Sequence, residues 1–330
     1  MNGSSARCCA TRRERNLIWV TFAIANKRIW VAGHRGMLGQ ALVRRLGKER
    51  CEVLAIERAE LDLEDQSAVG KWISEHCPDA IIVSAGHVGG VQANRDAPVD
   101  FLARNVSIAL NIIQSAHKAG VDRLVYVGSA AAYPMGAAQP IAPDALLTGP
   151  LDATHRSYGI AKIVGVALCQ AYRDQYNRDY VSVMPCNLYG PGGNADAMNG
   201  HVIASLLRRF DEAKNSGAPQ VTLWGTGTPR RQFLHVDDCA DAIVMALARY
   251  HDGEPLNLAS EDEVTIAELA GIIADTTGFK GLIAYDSAMP DGAPRRALDG
   301  QKLHEMGWRP SIRLVDGIAD LYRPQILRKG

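Results

Sequence analysis

Arg28-Ile-Trp-Val-Ala-Gly-His-Arg-Gly-Met-Leu-Gly-Gln-Ala-Leu-Val-Arg-Arg-Leu46 decides the fold. Its first part, Arg28 to Ala32, is a short apolar run of the kind that forms a buried strand. Its last part, Met37 to Leu46, spaces apolar residues as an amphipathic helix does. Between them Gly33, Gly36 and Gly39 form a GxxGxxG loop. Such a loop turns backbone N–H groups and a helix N-terminus toward a dinucleotide pyrophosphate. Glycines alone would also suit any tight strand-to-helix turn. The flanking strand and helix, and a second strand expected over Cys51 to Ile56, make the nucleotide reading the better one.

Working outward, the pattern repeats. Helices are expected over Ser67 to His76, Pro98 to Ala119 and His155 to Tyr176, and strands over Ala80 to Ser84, Arg123 to Val127 and Tyr180 to Met184. Alternating short apolar strands and helices specify an α/β protein with a Rossmann-type, doubly wound parallel sheet. Beyond residue 187 the character changes. Asn187 to Asn199 is a Gly/Asn/Pro-rich loop, His201 to Lys214 is amphipathic, and later elements are short. The expected organisation is an N-terminal extension over 1–26 and a dinucleotide-binding domain over 27–186. A smaller C-terminal α/β substrate domain takes most of 187–330, with about 230–255 returning to the first domain.

Composition narrows the function classes. The chain has 330 residues, 36 basic and 36 acidic, so a broad electrostatic surface for nucleic acid or membrane is not expected. Seven cysteines, an odd number without a CxxC, fit a reduced cytoplasmic protein and argue for no metal site. Arg7, Arg12, Arg13 and Arg15 precede the apolar stretch Leu17 to Ala25, which superficially resembles a signal peptide. The first strand follows too closely for that, and a loose extension or an early start codon is the preferred reading.

The second strand should end at Glu57-Arg58. An acidic residue there commonly holds a ribose 2′-hydroxyl, as for NAD, whereas an arginine accommodates a 2′-phosphate. With Arg58 and, inside the loop, Arg35 as two guanidiniums for one phosphate, NADP(H) is the expected cofactor. The candidate cofactor residues are Gly33, Arg35, Gly36, Met37, Leu38, Gly39, Arg58, Asp62 and Lys162.

Tyr158 and Lys162 are four apart and share one helix face. There an ammonium could lower the phenol's pKa and let it pass a proton to or from a carbonyl oxygen. Ser129 follows the fourth strand, at the sheet edge where open α/β sheets bind ligands. The trio reads as a nicotinamide-dependent reductase or epimerase.

With these residues in view, the chain resembles the extended short-chain dehydrogenase/reductases, and more closely the GDP-L-fucose synthases, which are GDP-4-keto-6-deoxymannose 3,5-epimerase-4-reductases. The likeness rests on Val31 to Gly39, Val88-Gly-Gly90, Ser157 to Lys162, Ser182 to Pro191, Trp224 to Pro229, Phe233 to Asp238 and Pro290 to Arg295. It implies a GDP-4-keto-6-deoxyhexose substrate, epimerisation at C3 and C5, reduction at C4 by NADPH, and a homodimer through the long helices near 100–118 and 155–176. By position it implies His201 as a proton-transfer residue. Asn187, Val202, Arg209, Trp224, Arg231 and Arg296 would meet the substrate. His235 and Asp237-Asp238 read as helix-capping residues.

One departure stands out. The family's epimerisation pair is a Cys and a His, and the Cys position is occupied here by Ala131. Cys186 is a candidate substitute, or a packed thiol. The rival readings are a GDP-4-ketohexose reductase that epimerises partly or not at all, a colitose-type product, a nucleotide-sugar 4-epimerase with bound NAD, and a non-catalytic NAD-binding module.

Overall fold

The computed structural model describes residues 21–193, 201–289 and 291–323. The first half runs β1 (Arg28–Ala32), α1 (Met37–Leu46), β2 (Glu52–Leu54), α2 (Gln66–His76), β3 (Ala80–Val83), α3 (Val91–Asp96), α4 (Pro98–Lys118), β4 (Arg123–Val127), α5 (Arg156–Tyr176) and β5 (Asp179–Pro185). These strands are nearly continuous apolar runs, with β1, β3, β4 and β5 buried almost throughout. That is the signature of a parallel sheet covered on both faces.

The second half runs β6 (Asn187–Tyr189), α6 (Val202–Ser216), β7 (Gln220–Trp224), β8 (Arg230–His235), α7 (Val236–Arg249), β9 (Leu256–Leu258), β10 (Glu263–Thr265), α8 (Ile266–Thr277), β11 (Leu282–Asp286), β12 (Arg295–Arg296), α9 (Gln301–Glu305) and α10 (Leu314–Tyr322). The main sheet has the order β2-β1-β3-β4-β5-β9, with every pair parallel. The order reverses beside β1, between β1 and β3, and the carboxyl ends there form the crevice in which such sheets bind ligands.

Several elements depart from the sequence reading. The second strand is only Glu52–Leu54, because it is an edge strand paired with β1 over three residues. The start of the expected loop at 187 is strand β6, which pairs with Phe233–His235 of β8. Three extended residues find their backbone partners there, and Asn187 Nδ2 adds a 2.9 Å bond to Gln232 O. Residues 194–199 of that loop lie outside the described residues.

Of the segment expected to return, α7 lies on α1, tied by Arg44–Asp237 and Arg45–Asp241 pairs at 2.5 Å. The return extends past 255 to β9, which joins the edge of the main sheet. By contrast β8 stays in the smaller sheet with β6, β10 and β12. A later stretch also comes back: Leu298, Leu303 and Trp308 are buried in the same core as the main sheet. A second core joins α6, α8 and α10 around Phe210, Leu269, Ile273 and Ile318. At the other end, Phe22 and Ile24 pack on the main core and Phe22 N–H donates to Ala248 O at 2.8 Å. The loose extension read over 1–26 therefore does not include 21–26, while 1–20 lie outside the described residues.

Candidate active site

The glycine loop leaves β1 with Gly33 at φ +90°. A side chain there would be strained, and its Cβ would sit 2.6 Å from the Ala85 backbone. Gly39 packs against the same turn, since a Cβ on it would lie 2.0 Å from Gly33 O. Gly36 is the N-cap of α1 and makes no side-chain cap bond. The first-turn N–H groups of α1 thus have no capping side chain and form a ready anion site. Met37 and Leu38 turn partly inward against the core.

The two expected phosphate-binding arginines are both exposed but engaged with carboxylates. Arg35 Nε donates to Glu57 Oε1 at 2.7 Å, and Arg58 lies 3.6 Å from Glu64. Glu57 sits where a 2′-hydroxyl acceptor would be expected, yet here it holds a loop cation. Asp62 accepts from the Glu64 N–H at 3.0 Å, closing a turn.

Ser129 lies two residues beyond β4 and caps a short 3-10 turn at Ala130–Ala132, its Oγ accepting the Ala131 N–H at 3.2 Å. The Ser129 hydroxyl is near enough to the Tyr158 phenol to favour its ionised form. Lys162 is 4 % exposed, and its Nζ donates to Val127 O at 2.9 Å. The close approach that permits this is made at Gly165, where a Cβ would lie 2.1 Å from the Tyr126 ring. The ammonium stands 5.7 Å from the centre of the Tyr158 ring.

The expected lowering of the phenol pKa is not what the site does. Burial disfavours both charged forms. It pushes the Tyr158 phenol up to about 12, against the smaller opposing effect of Ser129. It brings the Lys162 ammonium down to about 8. Near neutral pH the pair is therefore a phenol holding its proton beside a cation, an arrangement suited to giving a proton to a carbonyl oxygen.

A residue that the sequence reading missed secures this centre. Asn105 of α4 is 3 % exposed. It accepts the His87 N–H at 2.9 Å and donates to His87 O at 2.9 Å and Phe101 O at 2.7 Å. It thereby pins the loop after β3 beside Lys162, and Phe101 meets the Tyr158 ring edge-on at 6.4 Å. The signal was present: an amide in line with Phe101 and Ile108 on an otherwise apolar face.

The positions that bear on carbon-acid chemistry are less orderly. Ala131 belongs to the 3-10 turn beside Ser129 and has no proton to offer. Cys186 is buried, and burial pushes its thiol up to about 12 against opposing backbone hydrogen bonds, which marks it as a packed core thiol. His201 is the N-cap residue of α6 and its side chain makes no cap bond. Val202, first in that helix, is 40 % exposed.

The remaining candidates divide. Arg231 and Arg296 are opposite each other in the β8–β12 register. Burial lowers both pKa values, and for Arg231 the neighbouring Arg296 lowers it further. Asp152, 3.8 Å from Arg296, offsets both charges, and Asp291 also acts on Arg231. One Arg296 guanidinium nitrogen is buried with no hydrogen-bond partner among the described residues. Two adjacent guanidiniums with a spare donor suit a diphosphate. Arg209 and Trp224 lie elsewhere, along β7: Arg209 donates to Thr222 O and borders an open groove of about 400 Å³, and Trp224 is 54 % exposed. His235 accepts the Asp237 N–H at 3.2 Å as the cap of α7, and Asp238 receives the Ser311 and Ile312 N–H groups.

The model of the NAD dependent epimerase/dehydratase family matches residues 29–259. A GDP-L-fucose synthase from Sinorhizobium fredii is 45% identical over 301 residues, covering 91% of this chain and 96% of its own. Among solved structures, a GDP-6-OMe-4-keto-L-xylo-heptose reductase from C. jejuni superposes with a TM-score of 0.84 at 31% identity, covering 90% of this chain and 97% of its own. A GDP-L-fucose synthetase from Naegleria fowleri bound to NADP does so with 0.82 at 25% identity, covering 90% and 93%.

Proposed function

The chain belongs to the NAD dependent epimerase/dehydratase family, and from that premise we propose that it converts GDP-4-keto-6-deoxy-D-mannose to GDP-L-fucose with NADPH. The observation that carries the reading is the Ser129–Tyr158–Lys162 cluster at the carboxyl edge of the sheet, two strands from the glycine loop. The 45% identity with the Sinorhizobium fredii synthase supports the substrate. The cofactor fits the residues present: the uncapped N-terminus of α1 would hold the pyrophosphate, and Arg35 and Arg58, now paired with Glu57 and Glu64, would serve the 2′-phosphate.

In this reading NADPH supplies the hydride to C4. Tyr158 hands its phenolic proton to O4, and Ser129 donates a hydrogen bond to the same oxygen. The Lys162 cation favours the phenolate left behind. During epimerisation the same oxygen bears the enolate charge, so one set of donors serves every step. Arg231 and Arg296 hold the diphosphate, and Asn187, Val202, Arg209 and Trp224 complete the substrate surface. His201 moves a proton at the sugar ring, and Asp62 borders the adenine.

We assign a homodimer through α4 and α5, supported by the exposed apolar residues Val99, Leu110, Ile160 and Tyr176 on those helices. Among the described residues no helix is long and apolar enough to cross a membrane. Together with the odd cysteine count this supports a cytoplasmic enzyme.

Ala131 favours one alternative: a 4-ketoreductase that epimerises partly or not at all, as the likeness to the C. jejuni heptose reductase also allows. Incubation with GDP-4-keto-6-deoxy-D-mannose and NADPH in deuterated water separates the two. GDP-L-fucose carrying deuterium at C3 and C5 is expected. An unepimerised product without deuterium would establish the alternative.

A further inference from the structure

Ala131 raises a question that the neighbouring helix answers. The Ala131 carbonyl packs against the first turn of α5 so closely that a Cβ on Gly159 would lie 2.6 Å from it. Gly159 N–H in turn donates to His155 O at 2.8 Å. His155 is thus the N-cap residue of the helix that carries Tyr158, one turn from the place where the alanine sits. Tyr158 follows it by three residues, within the first turn of that helix.

The imidazole is not a bystander at that position. Thr154 Oγ1 lies 2.7 Å from Asp152 Oδ1 and 2.8 Å from His155 Nδ1. A hydroxyl has one proton, and an ionised carboxylate can only accept. The Thr154 proton is therefore given to Asp152, and His155 Nδ1 must be the donor to Thr154. This fixes the tautomer and leaves the lone pair on Nε2. The chain Asp152–Thr154–His155 orients a neutral imidazole much as a carboxylate does in other proton-transfer sites. Burial lowers the His155 pKa, with Arg296, Arg231 and Arg95 also lowering it and Asp152 opposing them. The base form therefore prevails at neutral pH. Two of those arginines are the pair assigned above to the substrate diphosphate.

We propose that His155, held by Thr154 and Asp152, is a second proton-transfer residue for epimerisation, doing the work that Ala131 cannot. The inference rests on the reading of the site as an epimerase-reductase. In the step, Nε2 takes the proton from the carbon next to the C4 ketone. The C–H pair moves into the ring and leaves an enolate on O4, which Ser129 and Tyr158 hold. The imidazolium keeps its Nδ1–H bond to Thr154, and the Asp152 carboxylate offsets its charge. A proton from a second acid on the opposite face, with His201 as the candidate, completes the inversion. No oxidant or co-reactant is needed. Thr154 and Asp152 are positioning residues.

The test uses the full chain and GDP-4-keto-6-deoxy-D-mannose in deuterated water without NADPH, reading deuterium at C3 and C5 separately by NMR. The wild type is expected to exchange both positions. His155→Gln is expected to lose exchange at one carbon by about 100-fold, the usual worth of a positioned acid or base. Thr154→Val should lower the same signal and Thr154→Ser restore it, a rescue that general loss of packing would not produce. NADPH binding and the melting temperature report whether each variant is folded; if His155→Gln is not, the Thr154 pair decides. Unchanged exchange in His155→Gln, or no effect of Thr154→Val, overturns the assignment of His155 alone. Absence of exchange in the wild type overturns epimerisation itself, and this inference with it.

Discussion

The oxygen-handling side of the site and the carbon-acid side are built differently. Ser129, Tyr158 and Lys162 depend on one another: the Ser129 hydroxyl acts on the phenol, a buried lysine is tied to the end of β4, and Asn105 locks the loop beside them. The residues proposed for proton transfer at carbon are instead at element ends, with His155 at the N-cap position of α5 and His201 at that of α6. Groups fixed by a shared buried network cannot be exchanged singly without leaving partners unsatisfied. Groups at helix ends can be redistributed, and the alanine at 131 is consistent with such a redistribution.

The contrast is open to being broken. The largest expected effect is on the oxygen side: Tyr158→Phe should lower the turnover of hydride transfer about 1000-fold with little change in substrate binding. Steady-state rates on the 4-keto sugar check it, and retained turnover would remove Tyr158 from the chemistry. Next comes the diphosphate pair. Arg296→Ala should raise KM about 30-fold, the worth of a charge-assisted hydrogen bond near 2 kcal/mol. If turnover falls instead of affinity, the arginine serves the reacting end.

The third effect depends on pH. The Lys162 cation exists below its pKa, which burial brings down to about 8. Hydride transfer should therefore fall as pH rises through that value, about tenfold per unit well above it. Lys162→Arg should move this limb to higher pH, and a flat alkaline profile would show that the charge is not needed. The smallest effect concerns the cofactor. Glu57 holds Arg35 at 2.7 Å in the free loop. Releasing it by Glu57→Ser should improve NADPH over NADH by about threefold, in keeping with an exposed ion pair. Measured KM ratios for the two cofactors decide it.

Some of the site was legible in the residues because its geometry is local. Three glycines at fixed spacing and a Tyr and Lys four apart carry their meaning within one turn or one helix. Asn105 was not legible, since an amide on an apolar helix face is recognised only when His87 is found opposite it. The relay from Asp152 to His155 lay beside the Tyr158 motif and was overlooked, because its meaning comes from hydroxyl proton counting at observed distances. The pKa expectation for Tyr158 had the wrong sign because it counted a nearby charge and not the cost of burial.

Sequence alone determined the strand–glycine loop–helix unit, the parallel α/β class and the face shared by Tyr158 and Lys162, all consequences of backbone period and short-range sterics. The tertiary structure decided what depends on contacts between distant segments. It set Arg231 beside Arg296 through the β8–β12 register. It brought Leu298 to Trp308 back to the first core. It also buried the phenol and the ammonium together. No local period encodes those pairings, because register, burial and dielectric are properties of the assembled chain.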